Sequence, residues 1–142
     1  MSYKIPYFSF DKMISDTGGD LSLAFREILD SKWYILGGHL TAFENEFAEY
    51  LGVKHAIGVG NGFDALRISL ESLSLKKDDE VILPGLTFIA TLLAVIHAGV
   101  KPVLCDVNPE TFTMDYRSVE SLISSKTKAI IPVHLYGYPV DV

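Results

Sequence analysis

The chain has 142 residues, 49% of them hydrophobic, and a net charge of −6 at pH 7. This length and composition suit a globular domain with its own hydrophobic core. The basic residues are scattered and form no run, which argues against a nucleic-acid partner. The single cysteine, Cys105, fits a reducing compartment, and the longest apolar stretch, residues 88–100, is too short to span a membrane. We therefore expect a cytoplasmic protein that binds neither nucleic acid nor membrane.

The chain begins with an aromatic, irregular arm over residues 1–19. Apolar residues then recur at helical spacing as far as Ser31, and Asp20 is a suitable N-cap for that helix. The loop that follows, residues 33–38, contains Tyr34 and is too apolar for ordinary solvent exposure. We expect the rest of the protein or a second subunit to cover this loop.

A second helix is marked at both ends. Thr41 and Glu44 have the spacing of a capping box, and Gly52 is placed to end the helix. Residues 1–54 are thus predicted to form an N-terminal arm with two helices.

From residue 55 onward, short apolar runs alternate with helical segments. The apolar runs are residues 55–59, 81–83, 102–104 and 129–133, and the helical segments are residues 62–73, 88–98 and 114–123. This alternation is typical of βαβ units and predicts an α/β fold with a mainly parallel sheet covered by helices on both faces. The segment 88–98 is apolar nearly all round, so we expect both of its faces to be buried. Because the last parallel strand needs a further neighbour, we expect residues 55–142 to be the first part of a larger domain.

Gly60-Asn61-Gly62 joins the first apolar run to a helix and could form an anion site. The first N–H groups of a helix have no intrahelical partner, and the helix dipole favours negative charge there. The dinucleotide-binding fingerprint is not met, since Phe63 stands where the third glycine belongs and the second strand ends without an acidic residue. A P-loop is excluded because no Gly-Lys-Ser/Thr follows. Taken alone, the segment is most simply an ordinary turn with Asn61 as N-cap.

A flat cofactor with a single phosphate needs an aromatic partner for this loop, and residues 84–91 supply one. Thr87 is placed to cap the following helix, with Phe88 in its first turn, at the carboxyl end of a strand. Open α/β sheets bind ligands at that edge. Pyridoxal phosphate fits both the loop and the ring.

Four segments in order and at matching spacing, residues 56–73, 78–91, 98–107 and 127–137, resemble the nucleotide-sugar aminotransferases of the DegT type. With residues 33–38 the resemblance covers essentially the whole chain. It implies a fold-type-I pyridoxal phosphate enzyme, similar to aspartate aminotransferase, that forms a homodimer with active sites at the interface. Chains of this family are more than twice as long, so the resemblance implies that the sequence is the N-terminal part of a longer protein.

The resemblance assigns cofactor contacts to five residues. The family's Ser-Gly-Thr phosphate loop falls on Asn61, Gly62 and Phe63, so the usual hydroxyl is missing at Phe63 and the backbone N–H groups of residues 62–64 remain as donors. Phe88 falls on the aromatic residue that stacks on the pyridine ring. The carboxylate of Asp64 would repel a phosphate by about 4 kcal/mol for unit charges 4 Å apart at an effective dielectric near 20. We therefore expect this side chain to turn away onto the helix end.

The segment Gly60–Leu66 further resembles family members that aminate C3 of a dTDP-3-keto-6-deoxyhexose, with glutamate as amino donor. Amination at C4 or of a UDP-sugar, a non-catalytic relative, and an NAD-dependent enzyme are the alternatives. Tyr34, His134 and Tyr136 are candidate substrate contacts, although each also has a plausible structural role.

Transamination needs a lysine that holds the cofactor as a Schiff base. No lysine of this chain stands in the family's lysine context, so we expect that residue downstream and residues 1–142 to be inactive alone. No group of residues has metal-ligand spacing, and no metal is predicted.

Overall fold

The structure is a computed structural model that describes Pro6 and residues 8–142. The first part of the predicted arm, residues 1–5 and 7, lies outside the described residues. The chain divides into two compact units, Met1–Gly58 and Val59–Val142.

Helix α1 spans Asp11–Ser31, in the first unit, and begins ten residues before the predicted start. Asp20 lies inside the helix and is not its N-cap, so that prediction is wrong. The helix continues through Gly18 and Gly19, because a glycine costs only about 1 kcal/mol in a helix and does not by itself end one. A serine hydroxyl, Ser9 Oγ, accepts the N–H of Asp11 at 3.1 Å beside the first turn.

Helix α2 spans Gly38–Leu51 and begins three residues before the predicted capping box. Thr41 is therefore within the helix, and the capping-box prediction is wrong. The carboxylate of Glu44 instead accepts the N–H of Gly58 at 2.7 Å, which fixes the segment that leaves the helix against its side. Gly52 adopts the left-handed conformation, with φ 67°, and ends the helix as predicted.

The buried strand predicted at residues 55–59 does not form. These residues have no regular structure, and the side chain of Ile57 is 80% exposed. A strand exists only through hydrogen bonds to a neighbouring strand. In the described part of the chain, no strand pairs with this segment.

The second unit contains a three-stranded parallel sheet in the order β2-β1-β3. The strands are β1 Glu80–Pro84, β2 Lys101–Cys105 and β3 Thr127–Ile130; the helices are α3 Gly62–Ser72, α4 Ile89–His97 and α5 Tyr116–Leu122. A 3₁₀ turn, Leu135–Gly137, follows β3. The predicted parallel sheet is confirmed. Since β2 and β3 lie on opposite sides of β1, the chain reverses its direction of winding there, and such a switch point is where open α/β sheets bind ligands.

Strand β1 carries the core on both of its faces. Val81 and Leu83 pack with Leu70 of α3 and Val95 of α4, whereas Ile82 packs on the other face with Cys105 and Val119 of α5. This alternation follows from the two-residue period of a strand. Helices therefore cover both faces of the sheet, as the sequence predicts.

Helix α4 is less buried than its apolar sequence indicates. Thr91, Ala94 and Val95 are buried, but Ile89 and Ile96 are about half exposed. The prediction that both faces of α4 are buried is therefore wrong. Within residues 59–142, α3 and the sheet cover only one side of this helix.

Helix length and hydropathy do not indicate a membrane span. Across Pro6 and residues 8–142, every helix is too short or too polar to cross a bilayer.

A buried carboxylate connects the strands at the amino edge of the sheet. Glu80 opens β1, and its two oxygens accept hydrogen bonds from Lys101 Nζ on β2 at 2.9 Å and from Ser124 Oγ, before β3, at 2.8 Å. These hydrogen bonds, that from Lys101 first, hold the pKa of the Glu80 carboxyl below its ordinary value. The ionised side chain thus joins β1 to β2 and to the turn that precedes β3.

Replacement Glu80→Gln is expected to lower the free energy of unfolding at neutral pH. Because the folded-state pKa is depressed, the ionised group stabilises the fold above the unfolded-state pKa, and this stabilisation is lost as the pH falls through the folded-state pKa. Urea unfolding from pH 7 downward should show the difference between wild type and variant shrinking in acid. The exposed Glu110→Gln is the control, and a difference that stayed constant with pH would contradict the assignment.

Candidate active site

The amino end of α3 presents free backbone donors. Asn61 is the N-cap, as predicted, and its Oδ1 accepts the N–H of Asp64 at 2.9 Å. The first intrahelical bond runs from Ala65 N–H to the Asn61 carbonyl at 3.0 Å. Within the described residues, the N–H groups of Gly62 and Phe63 have no acceptor. Two donors at the positive end of a helix dipole suit an anion.

The Asp64 side chain is held on the helix end by neighbouring polar groups. Its Oδ2 accepts from Asn61 Nδ2 at 3.1 Å, so that the two residues cap each other. Its Oδ1 lies 3.5 Å from Arg67 Nη2, and Arg67 Nη1 donates to Glu71 Oε1 at 2.6 Å. Glu71 first, and Asp64 to a smaller extent, raise the pKa of Arg67. The Asp64 N–H, predicted as a phosphate donor, is already bonded to Asn61.

A cavity of about 480 Å³ lies beside the free N–H groups. Its lining includes the glycine loop at residues 61–62 and the aromatic residue Phe88, which lie far apart along the chain and which the sequence predicts to bind the same cofactor. The lining residues are Asn61, Gly62, Phe63, Leu66, Phe88, Ala90 and Thr91. Asp64, the fifth predicted cofactor residue, is not among them. The role of these residues toward a cofactor stays a prediction.

Phe88 is the N-cap residue of α4, whose first turn begins at Ile89, so the prediction of Phe88 inside that turn is wrong by one residue; its side chain is 74% exposed. Thr87 is therefore not the cap, and that prediction is wrong. Its Oγ1 lies 2.9 Å from Thr91 Oγ1 instead. The hydroxyl pair links the loop after β1 to the first turn of α4, which fixes the backbone on both sides of the Phe88 ring.

Phe88 also lines a second cavity, of about 720 Å³, at the carboxyl edge of the sheet. The loops after β1 and β3 and the segment around residue 112 form its walls. The lining residues are Leu86, Thr87, Phe88, Thr111, Phe112, Leu135, Tyr136 and Tyr138. Phe112 and Tyr138 are not predicted from the sequence, since neither belongs to a motif. The positive φ of Phe112, 57°, is likewise invisible in a local sequence pattern.

The three predicted substrate contacts have different surroundings. Tyr136 lines the larger cavity, is fully exposed, and has a left-handed backbone with φ 53°. His134 lines neither cavity, and its Nδ1 accepts the N–H of Val140 at 2.9 Å. Tyr34 belongs to the first unit, where its hydroxyl donates to the Leu29 carbonyl at 3.2 Å. Their roles toward a substrate stay predictions.

Neither cavity is lined by a lysine. Among Pro6 and residues 8–142, no group of three or more His, Cys, Asp or Glu side chains could hold a metal ion. What the two cavities offer is backbone donors, hydroxyl groups and aromatic rings. These groups can bind and orient a ligand, but they include no nucleophilic amine.

Comparison with known proteins identifies the family. The model of the DegT/DnrJ/EryC1/StrS aminotransferase family matches residues 16–142, so the chain belongs to this family. The chain is 40% identical over 137 residues to dTDP-3-amino-3,6-dideoxy-alpha-D-galactopyranose transaminase of Aneurinibacillus thermoaerophilus, covering 96% of this chain and 38% of that protein. It is 46% identical over 116 residues to GDP-perosamine synthase of Caulobacter vibrioides, covering 81% of this chain and 31% of that one.

Solved structures agree with the family. The crystal structure of NtdA from Bacillus subtilis with bound cofactor PMP superposes with a TM-score of 0.90 at 37% identity, covering 99% of this chain and 33% of that one. The predicted aminotransferase fold is thereby confirmed. The chain spans less than two fifths of the length of the relatives it matches.

Replacement Asn61→Ala removes the acceptor for the Asp64 N–H. Loss of an N-cap costs about 1 kcal/mol, so the variant should unfold at a lower urea concentration than wild type. Asn61→Ser is the matched control, because a serine hydroxyl can accept the same N–H and should keep most of the stability. Equal stability of the alanine and serine variants would show that the Asn61 cap contributes nothing.

Proposed function

We propose that the protein carrying this chain is a pyridoxal phosphate-dependent aminotransferase that acts on a keto-sugar nucleotide. One observation of the structure carries the proposal. A helix terminus with two free N–H groups and an exposed phenyl ring line the same cavity. A phosphate ester on a flat ring needs these two groups close together. Family membership and the structural match to a relative with bound PMP support the same cofactor.

The residues present fit this cofactor. A volume of about 480 Å³ is within the range of small-molecule pockets, roughly 300–1,000 Å³. The N–H groups of Gly62 and Phe63 would hold the phosphate, with Asn61 ordering the turn, and the Phe88 ring would lie against the pyridine ring. When bound, pyridoxal phosphate supplies an electron sink and carries the amino group.

Phe63 explains how the site can work without the usual hydroxyl. Its ring packs edge-to-face with that of His97 on α4, with centroids 5.4 Å apart. The side chain thus joins α3 to α4, while the backbone N–H of the same residue remains available. Phosphate binding at this end would rely on backbone donors and the helix dipole, to which residue identity matters little.

The substrate proposed is a dTDP-3-keto-6-deoxyhexose aminated at C3, with glutamate as donor. The sequence Gly60–Leu66 supports this choice, as does the name of the Aneurinibacillus relative. A different nucleotide or ring position is the alternative, which the 46% identity to a GDP-perosamine synthase favours. Assays of the full-length protein with dTDP-, UDP- and GDP-linked 3-keto and 4-keto sugars separate these possibilities by product analysis.

A homodimer in the cytoplasm is proposed for the whole protein. The apolar side chains of Trp33, Tyr34, Ile35 and Leu36 are each more than 60% exposed in the first unit. A second copy that covers this segment would remove the apolar surface from water. No lysine lines either cavity, so the lysine that transamination requires would come from another part of the protein.

Replacement Phe88→Ala in the full-length apoprotein should weaken pyridoxal phosphate binding about tenfold, because an aromatic pair contributes roughly 0.5–1.5 kcal/mol beyond its buried area. Phe88→Trp keeps a ring and should retain affinity. Phe112→Ala, which removes a ring from the other cavity only, is the matched control. Fluorescence titration measures the dissociation constants, and an apoprotein without affinity for the cofactor would refute the proposed function.

Borohydride reduction of the full-length protein with its cofactor tests the source of the lysine. Reduction fixes the cofactor to the lysine that holds it, and peptide mass spectrometry locates the label. We expect no labelled lysine within residues 1–142, since no lysine lines either cavity. A label on Lys101, Lys126 or any other lysine of this chain would contradict the assignment of the site.

A further inference from the structure

Four polar side chains form a continuous series along α3, from its last turn to its N-cap. Glu71 Oε1 lies 2.6 Å from Arg67 Nη1, and Arg67 Nη2 lies 3.5 Å from Asp64 Oδ1. Asp64 Oδ2 accepts from Asn61 Nδ2 at 3.1 Å. The series therefore ends on the residue that caps the helix beside the free N–H groups. The side chains of Arg67 and Asp64 are only 31% and 32% exposed.

The charge at this helix end presents a conflict for a phosphate site. A carboxylate in the first turn stabilises a helix through the dipole, but the same charge repels an anion that binds there. Asp64 is close to the turn, since a Cβ placed on Gly60 would lie 3.2 Å from its Oδ2. An uncompensated Asp64 would therefore weaken the affinity for a phosphate.

Arg67 has the position and the chemistry to remove this conflict. A guanidinium group keeps its charge at any ordinary pH, and its fixed fork can contact two carboxylates at once. Glu71 holds one end of the fork, so the other end is directed to Asp64 at little cost in side-chain entropy. Arg67 does not line the cavity, which excludes a direct contact with a ligand there.

We propose that Arg67 is a positioning residue for the cofactor phosphate, acting through Asp64. It neutralises the Asp64 carboxylate and keeps it against Asn61, so that the end of α3 presents its N–H groups and the positive dipole to the anion. This inference rests on the proposed function, since the anion is the phosphate of the cofactor.

A double-mutant cycle on the full-length apoprotein tests the role. Arg67→Met should weaken pyridoxal phosphate binding about tenfold, within the range found for coupled neighbouring residues. Asp64→Asn keeps an oxygen that can accept from Asn61 but removes the charge, so it should bind at least as tightly as wild type. The double variant should return to within about twofold of wild type, because no charge is left to neutralise.

Three readouts separate this role from a merely structural one. Pyridoxal, which lacks the phosphate, should bind equally to wild type and to Arg67→Met. The loss caused by Arg67→Met should shrink as salt is added, because screening weakens interactions between partly exposed charges. Arg67→Lys, which keeps the charge, should recover part of the affinity. Arg117→Met, which removes the same charge at α5, is the matched control and should leave affinity unchanged.

The outcomes are distinct. If Asp64→Asn fails to rescue Arg67→Met, or if pyridoxal binding falls equally, Arg67 does not act through the charge of Asp64 and the inference is wrong. If wild type binds no pyridoxal phosphate, the proposed function fails, and the same cycle is measured with inorganic phosphate as a shift in unfolding midpoint. Absence of that shift in wild type, or no loss of it in Arg67→Met, also overturns the inference.

Should Arg67→Met fold poorly, Glu71→Gln releases the guanidinium without deleting it and should weaken cofactor binding by a smaller factor.

Discussion

Strand β1 is hydrogen-bonded along both edges and covered on both faces, and the rest of residues 59–142 takes its position from that strand. Each fully buried aliphatic side chain contributes about 1.5–3 kcal/mol relative to an exposed one, and β1 has three in a row, Val81, Ile82 and Leu83. At its amino end Glu80 bonds to β2 and to the turn that precedes β3. At its carboxyl end the chain passes directly into the loop that carries Phe88. The strand therefore sets where the candidate site can be.

The anion site proposed at the amino end of α3 depends on a different kind of interaction. Backbone N–H groups and a dipole are properties of any helix terminus, so a site built from them tolerates a change of side chain. Phe63 can therefore stand where the sequence resemblance implies a hydroxyl and still leave the terminus suited to phosphate. In the proposed site, the affinity for a phosphate would then depend on the residues that shape and neutralise the turn, Asn61, Asp64 and Arg67.

Structural features that the local sequence determines could be predicted, whereas features that depend on residues distant along the chain could not. The alternation of apolar runs and helical segments gave the parallel sheet, and the residue type at Asn61 gave the cap of α3. The strand predicted at residues 55–59 does not form. Its apolar pattern suits a strand, but a strand must also pair with a neighbouring segment, and the local pattern does not show whether one is present. The early start of α1 was not predicted, because the aromatic segment before Asp20 has an irregular apolar pattern.

The same distinction between local and distant determinants applies to the candidate site. The cavity that joins Asn61 to Phe88 brings together two segments that the sequence had already marked as complementary. Phe112 and Tyr138 of the larger cavity were missed, because only the winding of the chain around β1 brings them beside Phe88. His134 follows a strand, a position that suggested a substrate contact; its Nδ1 accepts the backbone N–H of Val140, and its role toward a substrate stays a prediction.

The reciprocal hydrogen bonds between Asn61 and Asp64 have a consequence for how such a protein is loaded. Because these two side chains cap each other, protein groups alone hold the turn that carries the free N–H groups of Gly62 and Phe63. In the proposed site, a cofactor would therefore meet a preorganised terminus and spend little of its binding energy on ordering the backbone. The Asn61–Asp64 bonds do not involve the cofactor, so its release would leave this cap of the helix in place.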